Sequence, residues 1–373
     1  MKRSRPTSAV LSALAAAVLP LGAQEDFCAS PIGVSHLVSG VASCEVVGGT
    51  TFVEVADNSV LHWDSFNLQA NHELEFNFAD SRQTVVNRAL GPSPTFIGGR
   101  LTSNGKVVVL SPDSWLEFRE GASVRAASFT ASGLQADNAQ FFGPSRTREF
   151  QATARSNPTT RIQGTITTTE GDVLLVGREL RITAAIDAAG AITAVSGERV
   201  TVEPGKPEAT VTVGGRQVTQ TGVIRAGRDI EIVSQLKVGL AGELSPGQGR
   251  GRVFVRVAEN GRILADPSVT VRGRTEFSVP IEGSIAIIDP DEGDNPGARS
   301  PAVNELPLLG KRKRDQRARP SSSTIASRAG TGFTKAEEGK RRKKTTLANL
   351  GKGYGKGSFY GMRGAAVKRG RGN

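Results

Sequence analysis

The residues able to do chemistry in this 373-residue chain are few. Its three histidines are His36, His62 and His72. An imidazole can move a proton near neutral pH or hold a metal through a ring nitrogen. None of the three stands at a His, Cys or carboxylate spacing that makes a metal or nucleophile motif, and as partly buried strand or loop residues they need no catalytic role. Asp172, Asp187 and Glu198 lie in a Val- and Gly-rich stretch. Cleavage of an acidic polysaccharide by clustered carboxylates would need such groups on one face, and no feature of the sequence places these three together. Gly98-Gly99 does not precede a helix as a phosphate-cradling loop does; a pair of glycines there permits a tight bend. The expectation is therefore a non-enzyme with no cofactor and no small-molecule substrate, with a polysaccharide-cleaving enzyme as the alternative.

Cys28 and Cys44 are the only cysteines, and their reading depends on the compartment. The chain starts with Lys2, Arg3 and Arg5, continues through the apolar residues 9 to 19, and reaches Pro20-Leu21-Gly22-Ala23. That is the layout of a secretory leader over residues 1 to 23, too short in its apolar core for a membrane helix of about 18 residues or more. No later stretch reaches that length. In an oxidising compartment an isolated cysteine pair closing a loop of about 15 residues reads as a disulfide worth roughly 3 kcal/mol. Two unpaired buried thiols and a two-cysteine metal site are the other readings. A lipid anchor would need small residues before Cys28, which follows Glu25-Asp26-Phe27.

Whatever binds or reacts must be positioned by the strands, and these are short. From residue 61 to 134, runs of four to six β-branched and aromatic residues alternate with Gly, Asn, Pro or Ser. Trp63 and Phe66 read as core, and Asn67 and Asn104 as turn or ladder residues. Farther on, Val173, Ile192, Val211 and Ile230 recur at a constant interval of 19 residues, the mark of a solenoid whose coils bury their inward residues against their neighbours. Runs this short suit a β-helix better than a sandwich, whose strands recur at about 8 to 12 residues. Asn104-Gly105 and Asn260-Gly261 are hairpin signals and predict some antiparallel structure on the coil. Residues 252 to 288 alternate cleanly and read as the last strands, closing the open end. Pro, Asp and Gly then mark a linker over residues 291 to 310.

Charge separates the remaining chain. The formal net charge is +11, yet residues 311 to 373 hold 19 Lys and Arg against 3 acidic residues, which with the leader leaves about −8 for residues 24 to 310. The tail carries the blocks Lys311-Arg312-Lys313-Arg314 and Lys340-Arg341-Arg342-Lys343-Lys344. Too cationic and too Gly-rich to bury a core, it is expected to be disordered. Either it neutralises anionic polymers such as lipopolysaccharide or acidic envelope glycans, or it is a solvated extension that aids export.

Four pieces between residues 50 and 135 belong together. They are Trp63/Ser65/Phe66/Asn67, then Asn87-Arg88, then Gly99-x-Leu101-x-x-Asn104-Gly105-x-Val107, and then Gly121-Ala122-x-Val124 with Phe129-x-Ala131-Ser132. In order and spacing this resembles the amino-terminal, two-partner secretion domain of the filamentous haemagglutinin family, with a looser likeness to about residue 290. The resemblance implies a right-handed single-stranded parallel β-helix over residues 24 to 290, with an amino-terminal cap and extra-helical β strands. It also implies an outer-membrane two-partner secretion transporter as partner, and a secreted or cell-surface binding protein of adhesin type. For transporter recognition it points to Asn87, Arg88 and the turn Ser111-Pro112-Asp113-Ser114. The family usually has Asn-Pro-Asn at that turn, but Pro at the second position flanked by Ser and Asp still makes a type I turn. The segment from 115 to 120 is about one residue longer than the family's, which predicts a bulge.

Overall fold

A computed structural model describes residues 27 to 288, apart from 144–146, 156–158, 204, 205, 207, 208 and 249. The leader, the linker and the basic tail lie outside the described residues. Within them, strands of two to seven residues build three long sheets, here A, B and C, of eleven, eleven and eight strands. The chain visits A, C and B in turn: Val173–Gly177 in A, Glu179–Ile182 in C and Ile186–Ala188 in B are followed by Ile192–Ser196 back in A. Successive strands of one sheet pair in parallel, Val173 with Ile192 and Ile192 with Ile230. The result is a parallel β-helix.

The local pattern explains the form. Each strand sends alternate residues into the helix lumen, and these stack in columns because the coils share one register. The column Val85, Val107, Phe129, Val173, Ile192, Ile230 and Val253 is buried along its whole length. At the amino-terminal end Gly33–Ser39 runs antiparallel to Cys28–Ser30 and to Ser59–Trp63, and the hairpin of Ala42–Val47 with Thr50–Val55 opens sheet B. The disulfide between Cys28 and Cys44 ties these two pieces of the cap together.

The 19-residue interval holds for Val173 and Ile192 but not for Val211. After Ser196 the chain leaves the coil as two antiparallel strands, Arg199–Val202 and Thr210–Val213, and rejoins sheet A at Ile230. Val211 therefore lies outside the helix, opposite Val200. These strands join Arg148–Gln151 and Gln135–Ala136 in a four-stranded antiparallel sheet D. Sheet D covers the outer face of sheet A with a second apolar layer that includes Val60, Val86, Val108, Leu174, Phe150 and Val200. Antiparallel structure is thus present, but not at the two Asn-Gly pairs. Asn104-Gly105 and Asn260-Gly261 turn corners between parallel strands, Arg100–Ser103 to Lys106–Leu110 and Arg252–Arg256 to Arg262–Ala265. Asn104 fits the corner because its amide donates to the Phe78 carbonyl at 2.9 Å while its Oδ1 accepts from the Phe78 N–H at 2.7 Å. No bulge forms over residues 115 to 120: Leu116–Phe118 pairs evenly with both neighbours, and the register shifts fall at Leu37/Ser39 and Arg199/Val200. Residues 252 to 288 do form the last strands, yet they extend the parallel coil. Arg274–Phe277, Ile281–Gly283 and Ala286–Ile288 each end their sheet among the described residues.

Among the polar side chains of the lumen, Gln220 carries an acceptor without a partner. It is fully buried between Ile182 and Leu240 in the sheet C column, and its Oε1 is that acceptor. Its amide donates to the Gly222 carbonyl, which also accepts from the Glu243 N–H. Gln220→Met should therefore raise the thermal midpoint, by the equivalent of about 1–2 kcal/mol, because it removes an unsatisfied buried acceptor while the Gly222 carbonyl keeps a partner. An equilibrium denaturant titration measures the change.

Candidate recognition site

Asn87 and Arg88 sit on one strand, Thr84–Ala89 of sheet A, and strand alternation sends them to opposite faces. Asn87 points into the lumen and is fully buried. Its Oδ1 accepts from the Trp63 indole N–H at 3.0 Å, and its amide donates to the Val108 carbonyl at 3.3 Å. Trp63 is also fully buried, its ring 5.0 Å from that of Phe66, so both aromatics are core as their setting in the sequence predicts. Arg88 points outward into the second apolar layer and is 6% exposed. Its guanidinium donates to the Gln135 Oε1 at 2.7 Å, the Ala136 carbonyl at 2.5 Å and the Asn138 Oδ1 at 2.7 Å. Burial pushes this guanidinium below its usual range, against the pull of Asp137 and Asp113. Gln135 and Asn138 have no counterpart in the sequence reading, because nothing in a linear pattern connects residues about fifty positions away to Arg88.

The turn Ser111-Pro112-Asp113-Ser114 follows Lys106–Leu110, whose Leu110 stands beside Arg88 in the ladder. The two recognition candidates therefore occupy neighbouring coils at the same end of the sheet A strands. The Ser111 hydroxyl shares a 3.0 Å hydrogen bond with that of Thr95, and Asp113 Oδ1 accepts from the Thr153 hydroxyl at 2.9 Å. Of the six positions only Asp113 is half-buried; the other five are buried. Asn67 holds the neighbouring corner, its Oδ1 accepting from the Phe96 N–H at 3.0 Å. Gly99 is needed in its bend, since a Cβ there would lie 2.2 Å from both the Gln69 and the His72 carbonyl oxygens.

The three carboxylates weighed for polysaccharide cleavage are not gathered. Asp172 precedes Val173–Gly177, where it accepts from the Ala191 N–H at 2.8 Å and pairs with Arg228. Glu198 follows Ile192–Ser196 at the other end of the same pair of strands and pairs with Arg178. Asp187 lies on the outer face of sheet B between Thr167 and Arg225. Among the described residues no three His, Cys, Asp or Glu side chains are grouped to hold a metal ion, and no helix is long and apolar enough to cross a membrane.

A model of the TPS secretion domain matches residues 39–275. Over 99 residues the chain is 30% identical to a heme/hemopexin-binding protein of Haemophilus influenzae, a match that covers 26% of this chain and 11% of that relative. A second heme/hemopexin-binding protein from the same species is 28% identical over 82 residues, 22% of this chain and 9% of the relative. The chain thus spans about a tenth of the curated relatives it matches. Among solved structures, the HMW1 secretion domain of Haemophilus influenzae superposes with a TM-score of 0.55 at 20% identity, covering 71% of this chain and 79% of that one. The filamentous hemagglutinin secretion domain gives a TM-score of 0.38 at 16% identity, covering 68% and 99%.

Across three strands of sheet A, His36, His62 and Arg88 stand side by side. Burial first, then the charge of Arg88, then His36 hold the His62 imidazole below its ordinary value of 6.5. The folded chain then binds fewer protons than the unfolded one, so stability rises with pH. The contribution is complete above that ordinary value and is lost as pH falls below it toward the lowered folded value. Thermal melts between about pH 7.5 and 5 should show a loss of midpoint on acidification that His62→Gln reduces.

Proposed function

The chain belongs to the family of TPS secretion domains, and on that premise we propose that a dedicated outer-membrane transporter reads Asn87, Arg88, Ser111, Pro112, Asp113 and Ser114 while the chain is still extended. The observation that supports this reading is the burial of five of the six, with the polar groups of Asn87 and Arg88 engaged inside the protein. A reader of the folded surface would find almost none of them. An extended chain offers them all, and folding then removes them into the two apolar layers. The protein is a secreted exoprotein of the two-partner secretion type, exported to the cell surface or beyond.

Once outside, it acts as a binding protein of adhesin type and not as an enzyme. The separation of Asp172, Asp187 and Glu198 supports the second half of that statement. Anionic envelope polymers, lipopolysaccharide among them, are the partners that a segment of charge +16 would hold. The residues concerned are Lys311, Arg312, Lys313, Arg314 and Lys340, Arg341, Arg342, Lys343, Lys344. Such attraction weakens as salt rises.

In the producing cell, a variant with Pro112→Gly and Asp113→Ala should accumulate in the periplasm although it refolds in vitro to the same circular dichroism spectrum. Asn87→Ala should be retained likewise and also lose about 1–3 kcal/mol of stability, since the Trp63 N–H is left unpaired. Export of both at the native level would contradict the proposal. For the tail, binding to lipopolysaccharide-coated beads should fall with added salt and disappear when residues 311 to 373 are deleted; undiminished binding would remove the tail from the function.

A further inference from the structure

The three sheets are covered unequally. Sheet D lies over the outer face of sheet A, whereas among the described residues no second layer lies over the outer face of sheet C. That face carries an outward row in register, Phe96, Glu117, Arg161, Arg181, Thr219, Gly239, Leu264 and Glu282, with Glu179, Gln217, Lys237 and Arg262 outward two residues earlier on their strands. Beside its start stands Trp115, 41% exposed, with the Arg161 guanidinium 5.4 Å from its ring centroid. The Arg119 guanidinium lies 3.9 Å from the centroid of Phe96.

The charges on this face are layered. Glu117 and Glu179 side chains are 15% and 7% exposed, while those of Arg161 and Arg181 are 37% and 49% exposed. Glu179 Oε1 accepts from Arg181 Nε at 2.8 Å and from the Gln217 amide at 3.3 Å. In these two pairs the carboxylates lie low and solvent meets the guanidiniums; farther along, Glu282, next after Leu264 in the row, is 49% exposed and paired with Arg262, and Asp266 is exposed.

Farther along the row lies an open depression of about 240 Å³ whose lining includes Thr219, Lys237, Gly239, Leu264 and Asp266. The backbone does not need glycine for space, since a Cβ would meet no atom nearer than 3.9 Å. A glycine inside a strand costs roughly 0.5–1 kcal/mol relative to alanine, so the opening itself is the feature to explain. From Trp115 to Lys237 the track crosses four strand spacings of roughly 4.8 Å, about 19 Å in all.

We infer that the outer face of sheet C is a binding track for a carboxylated acidic polysaccharide, a polyuronate, with one sugar face on Trp115, uronate carboxylates on Arg161, Arg181 and Lys237, and a ring seated in the depression beside Gly239. An indole presents a flat apolar surface to the C–H face of a sugar, and a guanidinium fork matches a carboxylate with two parallel hydrogen bonds. Residues 27 to 288, the body around the track, hold 24 Lys and Arg against 26 Asp and Glu, a net charge of −2. The assignment to a uronate rests on the match of a planar carboxylate to the guanidinium fork of Arg161 and Arg181 beside an indole that can take a sugar face. The inference rests on the extracellular binding role proposed above and assigns that role a face and a ligand class.

Tryptophan emission of the full chain separates this face from the basic tail. Trp63 is fully buried and Trp115 is not, so a ligand on sheet C changes the emission of Trp115, and a ligand held only by the tail changes neither. Titration with tetragalacturonate should shift the emission. Arg181→Gln with Lys237→Gln should weaken that response at least about tenfold, and Trp115→Ala should weaken saccharide binding, measured by calorimetry, by a similar factor in affinity. Retention of the saccharide with emission unchanged would overturn the inference while leaving tail binding intact. An equal response to neutral maltotetraose, or a stronger one to a heparin tetrasaccharide or an oligodeoxynucleotide, would overturn the assignment to polyuronate.

Discussion

A coil of three short strands has no core of its own. Each turn of this helix sends a few side chains into the lumen, and they leave water only when the coils above and below are in place. Everything else depends on that shared register. The column from Val85 to Val253 is continuous because each residue sits over its counterpart, and a one-residue slip in any coil would turn its inward set to the outside. The end of such a stack is its exposed point. Here the amino-terminal end is protected by antiparallel strands and the Cys28–Cys44 link.

The second constraint is the outer layer on sheet A. A β-helix sheet ordinarily alternates apolar inside and polar outside, but central strands of sheet A such as Lys106–Leu110 and Val173–Gly177 carry apolar residues on both faces, so they need a cover. Sheet D supplies it through two excursions of the chain, one between Ser132 and Thr159 and the other between Ser196 and Gln217. Asn87 and Arg88 span both layers from one strand, the first holding Trp63 in the lumen and the second holding Gln135 and Ala136 of sheet D and the nearby Asn138. Two adjacent residues therefore couple the inner stack to the outer layer. A chain read through them before it folds loses that signal as soon as both layers close, which gives the proposed export a direction.

The faces then divide the work. Sheet A is committed to internal packing. The outer face of sheet B is a mosaic of threonines and opposite charges, such as Asp187 between Thr167 and Arg225. Only sheet C combines an exposed indole, raised guanidiniums and a surface depression beside Gly239. A regular scaffold of this kind places outward residues one strand spacing apart, the spacing at which a polymer with repeating units can be met by repeating side chains.

Much of this was legible in the residues themselves. Period-two alternation, short runs between turn residues and the 19-residue step from Val173 to Ile192 specify parallel coils, because inward positions must be apolar and must recur once per coil. The ordered motifs around Trp63, Asn87-Arg88, Gly99 and Gly121 carry the family likeness for the same reason, being the corners and lumen positions of the coil. What the sequence could not show was where the chain leaves the coil: Val211 keeps the interval yet lies in sheet D, since an excursion of suitable length preserves spacing while changing partner. Asn-Gly likewise favours a corner of either kind, and only the strands on each side decide between hairpin and coil. The pairing of Arg88 with residues about fifty positions on, and the gathering of Trp115, Arg181 and Lys237 on one face, depend on how many coils intervene. That count is set by the stacked structure and by no local pattern.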